Sequence, residues 1–268
     1  MMVDVIHVDP KTIHGPKWMI WIFAGFFLYA GLSFMVHGLK GVSRKKHIQE
    51  GKRRAPASPW MWDFRWSQIG FTVQKWKKPA KYLFMFIIFG GFLAPFNWWA
   101  FYSGEKSFVL WFVVGLFDVI TVGIGVAFFY QLFQYFKYGN SRLLFYGFPF
   151  FLGDSLKVGL EGLPARDQIE ELELNLRFIE ERYEISGSGN NRNSTVVCYQ
   201  YYLDARKFQP SEILPGPVFE MEWPLPDKPE FASRMNERPA KFWELEVKAK
   251  SPGIDYYEQF LLPVYSRS

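Results

Sequence analysis

Residues 107–136, SFVLWFVVGLFDVITVGIGVAFFYQLFQYF, hold one formal charge, Asp118, in 30 positions. At about 1.5 Å of rise per residue such a run makes roughly 45 Å of helix, more than the ~30 Å hydrocarbon core of a bilayer requires. Moving outward, residues 82–104 are 23 positions without Asp, Glu, Lys or Arg, and residues 18–39 are 22 more. Three membrane-spanning helices are therefore expected, over about 18–39, 82–104 and 107–136. The first apolar run is too long for the core of a signal peptide, and its strong positive charge follows rather than precedes it, so it reads as an uncleaved anchor. The whole-chain averages, 268 residues at 49% hydrophobic with a mean hydropathy of −0.06, hide this by mixing apolar spans with charged segments.

Charge sets the expected orientation. Residues 40–81 carry 12 Lys or Arg against Glu50 and Asp63, a balance of +10, while residues 138–268 carry 15 basic and 20 acidic residues, a balance of −5. Cytoplasmic loops are rich in Lys and Arg, so the segment 40–81 is expected inside and the near-neutral turn Tyr102–Lys106 outside. Three spans then put the N-terminus in the periplasm and residues 138–268 in the cytoplasm. The net charge of +5 is explained beside the spans, and no nucleic-acid partner is expected.

Within the spans, Trp18, Trp21, Trp98, Trp99, Tyr102 and Trp111 stand at expected outer ends, where amphipathic rings favour the headgroup layer. Gly90, Gly91 and Ala94 with Gly123 and Ala127 form small-residue spacings that let helices approach closely, either within the hairpin of spans two and three or between copies. Asp118 falls about 16 Å along the third span, near mid-membrane. An intramembrane acid is a candidate for proton or cation transfer, yet no second ionisable group lies at similar depth. Pro95, which frees the carbonyl of Gly91, and Asn97, which supplies an amide, offer Asp118 a structural role instead.

Between the first two spans come the clusters Arg44-Lys45-Lys46 and Lys52-Arg53-Arg54, candidates for setting topology or attracting anionic lipid. Ser58 and Pro59 then read as a helix start, and Trp62, Trp66, Ile69, Val73 and Trp76 follow at steps of 4, 3, 4 and 3. That spacing predicts an interfacial helix lying in the inner headgroup layer. The competing reading packs the same aromatics on the soluble domain. Gly70 and Thr72 weaken the second half of the helix.

After Lys137 the hydrophobic period becomes two. Leu156, Val158 and Leu160 alternate with polar residues or glycine, as do Leu172, Leu174, Leu176 and Phe178, and Trp243, Leu245, Val247 and Ala249. Further strands are expected near 196–203, 218–223 and 257–264, separated by Gly153-Asp154, a Gly/Ser/Asn tip at 186–193 and Pro252-Gly253. Six to eight antiparallel strands over 138–268 fit a β-sandwich. The expected fold class is thus a membrane domain, 1–137, with the interfacial loop 40–81, followed by an all-β soluble domain, 138–268.

Little chemistry is readable. No histidine follows His47, Cys198 is the only cysteine, and His7, His14, His37 and His47 have no metal-ligand spacing. The tip at 186–190 lacks the Gly-Lys-Ser/Thr of a phosphate loop. No catalytic, cofactor or metal residue is nominated, and no cofactor is expected.

The segment Pro59-Trp60-Met61-Trp62 through Trp66, and the ending Trp243-Glu244-Leu245-Glu246-Val247-Lys248-Ala249 with Pro252-Gly253-Ile254-Asp255-Tyr256, Phe260 and Pro263-Val264, resemble an uncharacterised bacterial family of inner-membrane proteins. The resemblance implies an aromatic loop between spans and a C-terminal, arrestin-like β-sandwich. It brings no catalytic residues. Here Asp63-Phe64-Arg65-Trp66 departs from the basic-Pro-Asp-Trp arrangement of that family. Two classes of function are expected: a non-enzymatic binding, scaffold or complex-assembly module partnered by the bilayer and by another protein or a second copy, or a transport or proton/ion-conducting subunit using Asp118.

The orientation is testable by accessibility. In a Cys198→Ser background, a cysteine placed at Ser103 should react with an impermeant maleimide in intact cells, and one at Ser268 only after lysis; the reverse pattern inverts the topology.

Overall fold

The computed structural model describes residues 17–102, 107–186, 193–213 and 216–267. The N-terminal charges, the turn residues 103–106, most of the glycine-rich tip and Ser268 lie outside the described residues. The described chain folds as three long apolar helices and ten strands. The helices are α1 (Lys17–Arg54), α2 (Lys77–Tyr102) and α3 (Phe108–Tyr138), each long and apolar enough to cross a membrane. The strands are β1 (Gly70–Val73), β2 (Ser141–Phe145), β3 (Phe150–Phe151), β4 (Ser155–Glu161), β5 (Glu171–Ser186), β6 (Asn193–Phe208), β7 (Val218–Pro224), β8 (Ala240–Lys250), β9 (Tyr256–Leu262) and β10 (Val264–Tyr265). Two compact units result: residues 1–42 with 78–131, and residues 43–77 with 132–268.

In the helical unit, α1 packs on α2 through rings. Phe23 meets Phe92 and Phe96 edge-on at 5.8 and 5.6 Å, and Tyr29 meets Phe84 at 5.1 Å. Between α2 and α3, the Trp111 indole donates to the Ala100 carbonyl at 2.6 Å. The small-residue expectation for this hairpin is corrected. A Cβ added at Gly90, Gly91 or Gly123 would meet nothing within 4 Å, whereas one at Gly125 would stand 3.2 Å from the Phe86 ring. The close approach of α2 and α3 therefore uses Gly125 and not the expected stripe.

The β unit is a sandwich with one sheet ordered β1-β2-β4-β7, a second ordered β6-β5-β8-β9, and a short parallel pair β10-β3. Leu156, Val158 and Leu160 of β4 and Trp223 of β7 face Leu172, Leu174, Leu176 and Phe178 of β5, Trp243, Leu245 and Val247 of β8, and Phe260 of β9 in one core. These are the alternating positions read from the sequence, because each sheet buries one face.

The segment between α1 and α2 departs from expectation. The basic clusters lie on α1, which continues to Arg54, where three cations in the last turn oppose the negative end of the helix dipole. No helix forms over 62–76. A single 3-10 turn spans Pro59–Met61, and Gly70–Val73 pairs antiparallel with Leu144–Ser141 as the edge of the first sheet. Gly70 decides this: at φ +150° it takes a backbone conformation that L side chains rarely adopt, and a Cβ there would stand 2.1 Å from the Leu143 carbonyl oxygen. β-branched Thr72 and Val73 add strand preference. The segment expected to lie at the membrane surface thus contributes a strand to the sandwich, and residues 43–77 group with the β unit instead of with the helices.

Lys75, two residues after β1, is buried. Its ammonium lies 3.6 Å from the Glu258 carboxylate of β9, which is also buried, and 4.2 and 5.1 Å from the ring centres of Tyr256 and Tyr138. Removing one partner of such a pair strands a charge in low dielectric, costing about 3–5 kcal/mol. Glu258→Gln should lower the thermal midpoint of the β-sheet circular dichroism signal strongly, and Lys75→Met combined with Glu258→Gln should recover most of the loss. Equal midpoints for Glu258→Gln and wild type would show that the pair carries no charge.

Candidate functional site

Three constellations involve residues singled out in the sequence or left exposed by the fold. The first is in the helical unit. The Asn97 amide of α2 donates to an Asp118 carboxylate oxygen of α3 at 2.8 Å, and also lies 3.4 Å from the Leu93 carbonyl. Both side chains are half-buried. The expected pair is thus formed: Pro95 sits inside α2 two residues earlier, and the amide at position 97 spans to the neighbouring helix.

The second is the aromatic segment, whose residues do not share one helical face. Trp62 lies over Gly51 of α1, with its indole donating to the Ala55 carbonyl at 3.0 Å and Lys52 above its ring at 4.8 Å. Trp66 donates to the Tyr265 hydroxyl at 2.9 Å, and Val73 packs on the sandwich core. Ile69 and Trp76 remain exposed. Of the basic residues, Arg44, Lys45, Lys46, Lys52, Arg53 and Arg54 are all exposed along α1, with Arg44 reaching Asn236 at 3.5 Å.

The anchor of this segment is Asp63, which the sequence reading passed over. Its carboxylate is 3% exposed and accepts the backbone N–H groups of Met235 and Asn236 at 2.9 and 2.8 Å, with the Tyr265 hydroxyl at 3.4 Å. The Asn236 amide returns bonds to the carbonyls of Trp62 and Asp63. Burial pushes the Asp63 carboxyl above its ordinary range, against the pull of the donors. The sequence signal was an acid alone among five aromatics from Trp60 to Phe71. Its contacts make it a clamp between segments.

The third is the β5–β6 hairpin. Strand β8 pairs with β5 only from Glu171 to Glu181, so beyond that point β5 and β6 continue as a two-stranded ribbon. Beyond Tyr138, eight described large apolar side chains are exposed, and six of them are here: Tyr183, Ile185, Val196, Tyr199, Tyr201 and Leu203. The ribbon is braced by charge. Arg182 donates to the Tyr201 hydroxyl at 2.8 Å, lies 5.3 Å over the Tyr199 ring, and pairs with Glu180, whose carboxyl it holds below the usual range. Arg238 covers Tyr183 at 5.3 Å, and the Tyr199 hydroxyl donates to Glu184. Cys198 is exposed in this ribbon. Among the described residues no cluster of three His, Cys, Asp or Glu side chains is placed to hold a metal.

Asp118 yields a test that separates packing from proton transfer. Asp118→Asn keeps an acceptor for Asn97 and should match wild type in abundance, assembly and complementation of a deletion strain. Asp118→Leu strands the amide and should lower abundance, at a cost of about 1–3 kcal/mol. An Asn variant that assembles normally but fails to complement, with Glu partly restoring it, would establish a relay.

No family model matches the chain, and no curated protein matches it. Similar solved structures include Spo0M, a sporulation control protein from Bacillus subtilis, at 13% identity, TM-score 0.26, over 47% of this chain and 49% of that one. A DUF4466 family protein from Parabacteroides merdae is similar at 7% identity, TM-score 0.24, over 46% and 42%. The chain thus spans about half or less of the length of these structures.

Proposed function

We propose that this chain is a non-enzymatic membrane protein of the bacterial inner membrane that presents its β-sandwich to the cytoplasm as a binding or complex-assembly module. The observation that carries the reading is the concentration of exposed aromatic and aliphatic side chains on one hairpin, since contiguous apolar surface on an otherwise polar domain marks an interaction site. Three spanning-length helices supply the anchor, and the +10 balance of residues 40–81 supports the cytoplasmic side. The N-terminus is then periplasmic. The partner of the hairpin is a protein, as its charges are of mixed sign and attract neither anionic lipid nor nucleic acid.

A transport or proton-conducting subunit built on Asp118 is the second reading, favoured by a polar pair among apolar helices. The Asn97 amide already gives that carboxylate a partner, which supports packing instead.

Photo-crosslinking discriminates. A benzoylphenylalanine at Leu203 should give a discrete protein adduct in native membranes, and one at Tyr146, exposed elsewhere on the sandwich, should not. Adducts at neither position, or equal adducts at both, would sink the binding-module reading.

A further inference from the structure

The seam between α1 and α2 can be followed down both helices to charge. On α1, Met19, Phe23, Phe26, Ala30 and Ser33 are half-buried at steps of 4, 3, 4 and 3, and the same steps carry this face on to His37 and Lys40. On α2, Phe96, Phe92, Ile88 and Met85 are half-buried at steps of 4, 4 and 3, and two further steps of 4 reach Lys81 and Lys77. Ring contacts set the two faces against each other. With Phe26 on Phe92 at 4.9 Å and Tyr29 on Phe84 at 5.1 Å, the antiparallel helices bring Lys81 level with residues 32–37 of α1, just before Lys40. Cations from both helices thus stand at one end of a single seam. Neither helix supplies an anion there: α2 has no Asp or Glu, and the one acid in α1, Glu50, lies 4.0 Å from Lys46. Among the described residues Lys40, Lys77 and Lys81 are exposed and make no ion pair.

We infer that this end of the seam is a seat for one anionic phospholipid, its phosphate held by Lys40, Lys77 and Lys81. The inference rests on the membrane-spanning part of the reading above and adds a lipid of stated charge to it. Depth argues for a lipid: Lys40 and Lys81 are the first charges met beyond the apolar runs 18–39 and 82–104, so their ammonium groups reach the headgroup layer. The order of groups along each helix fits the same ligand. Tyr29 and Val36, exposed two turns apart on one flank of α1, precede Lys40, and exposed Phe84, which meets Tyr29, stands above Lys81 and Lys77 on α2. Acyl chains lie against the first set and the phosphate against the second. Charge selects the headgroup, since three cations without an acid favour a lipid of net negative charge over a zwitterionic one that brings its own cation.

The test uses the full chain in vesicles of equal parts phosphatidylglycerol and phosphatidylcholine, with benzoylphenylalanine at Val36. Mass spectrometry of the photo-adducts should show phosphatidylglycerol over phosphatidylcholine by about threefold or more. Lys40→Gln with Lys81→Gln should bring the ratio to about one, and Lys40→Arg with Lys81→Arg should keep it. Arg53→Gln with Arg54→Gln removes as much charge roughly 20 Å further along α1 and should leave the ratio unchanged. These side chains are exposed, so the substitutions leave the packing of the helices intact. A ratio of one in the unaltered chain, an equal fall in both Gln variants, or no lipid adduct at Val36 overturns the inference. Both leaflets carry the same mixture, so the readout is independent of orientation and of the hairpin's partner. A kept ratio with no Leu203 protein adduct drops the binding module alone, and a ratio of one with that adduct drops the lipid seat alone.

Discussion

A lysine ammonium taken out of water must be compensated where it lies, and the burial of Lys75 between Glu258, Tyr256 and Tyr138 organises the β unit around that need. Three distant parts of the chain meet at this point: the segment before α2, the last turn of α3, and strand β9. Neighbouring contacts follow the same plan. Lys137 donates to the carbonyls of Pro252 and Ile254 at 2.7 and 2.9 Å, and the Tyr138 hydroxyl also bonds Ile254, so the end of α3 holds the β8–β9 turn. Asp63 does the equivalent for the turn at 235–236. The sandwich is closed by segments that flank the spans as well as by its own strands.

The two faces of the second sheet divide the labour. Inward, aliphatic and aromatic side chains form the core. Outward, Arg177 bridges Glu244 and Glu246, and Asn175 reaches Glu246 at 3.0 Å. This network covers the part of β5 that lies against β8. Beyond the reach of β8, Arg182, Glu184 and Arg238 stand against tyrosines of the ribbon, and exposed aromatic and aliphatic side chains concentrate there. Most of the exposed large apolar side chains of the β unit thus lie where the second sheet is incomplete.

Legibility in the sequence followed the strength of the local signal. The spans were readable because three long runs almost free of charge have no other economical explanation, and β4, β5 and β8 because strict alternation identifies one buried face. The Asp118–Asn97 pair was readable since a lone acid in a span must find a donor nearby. The segment 58–76 misled because Trp62, Trp66, Ile69, Val73 and Trp76 happen to match a helical period. What places them is long-range: a β2 partner some 70 residues away for Gly70–Val73, Tyr265 for Trp66, and Met235 and Asn236 for Asp63. Gly70 and Thr72 were the local hint. The short strands β2 and β3 had too few residues to show a period.

The placement of β1 before two spans and its neighbours after them has a consequence for biosynthesis. When residues 63–76 leave the ribosome, Tyr265 and Glu258 are still roughly 190 residues from being made. At about 5–20 residues per second the wait is on the order of 10–40 s. During it Trp66 lacks Tyr265, the Asp63 carboxylate lacks Met235 and Asn236, and the Lys75 ammonium lacks Glu258, while α2 and α3 enter the bilayer. The sheet edge is therefore filled late, by a strand synthesised early, and a nascent chain stalled between the third helix and β9 would keep its tryptophan-rich segment open to chaperones.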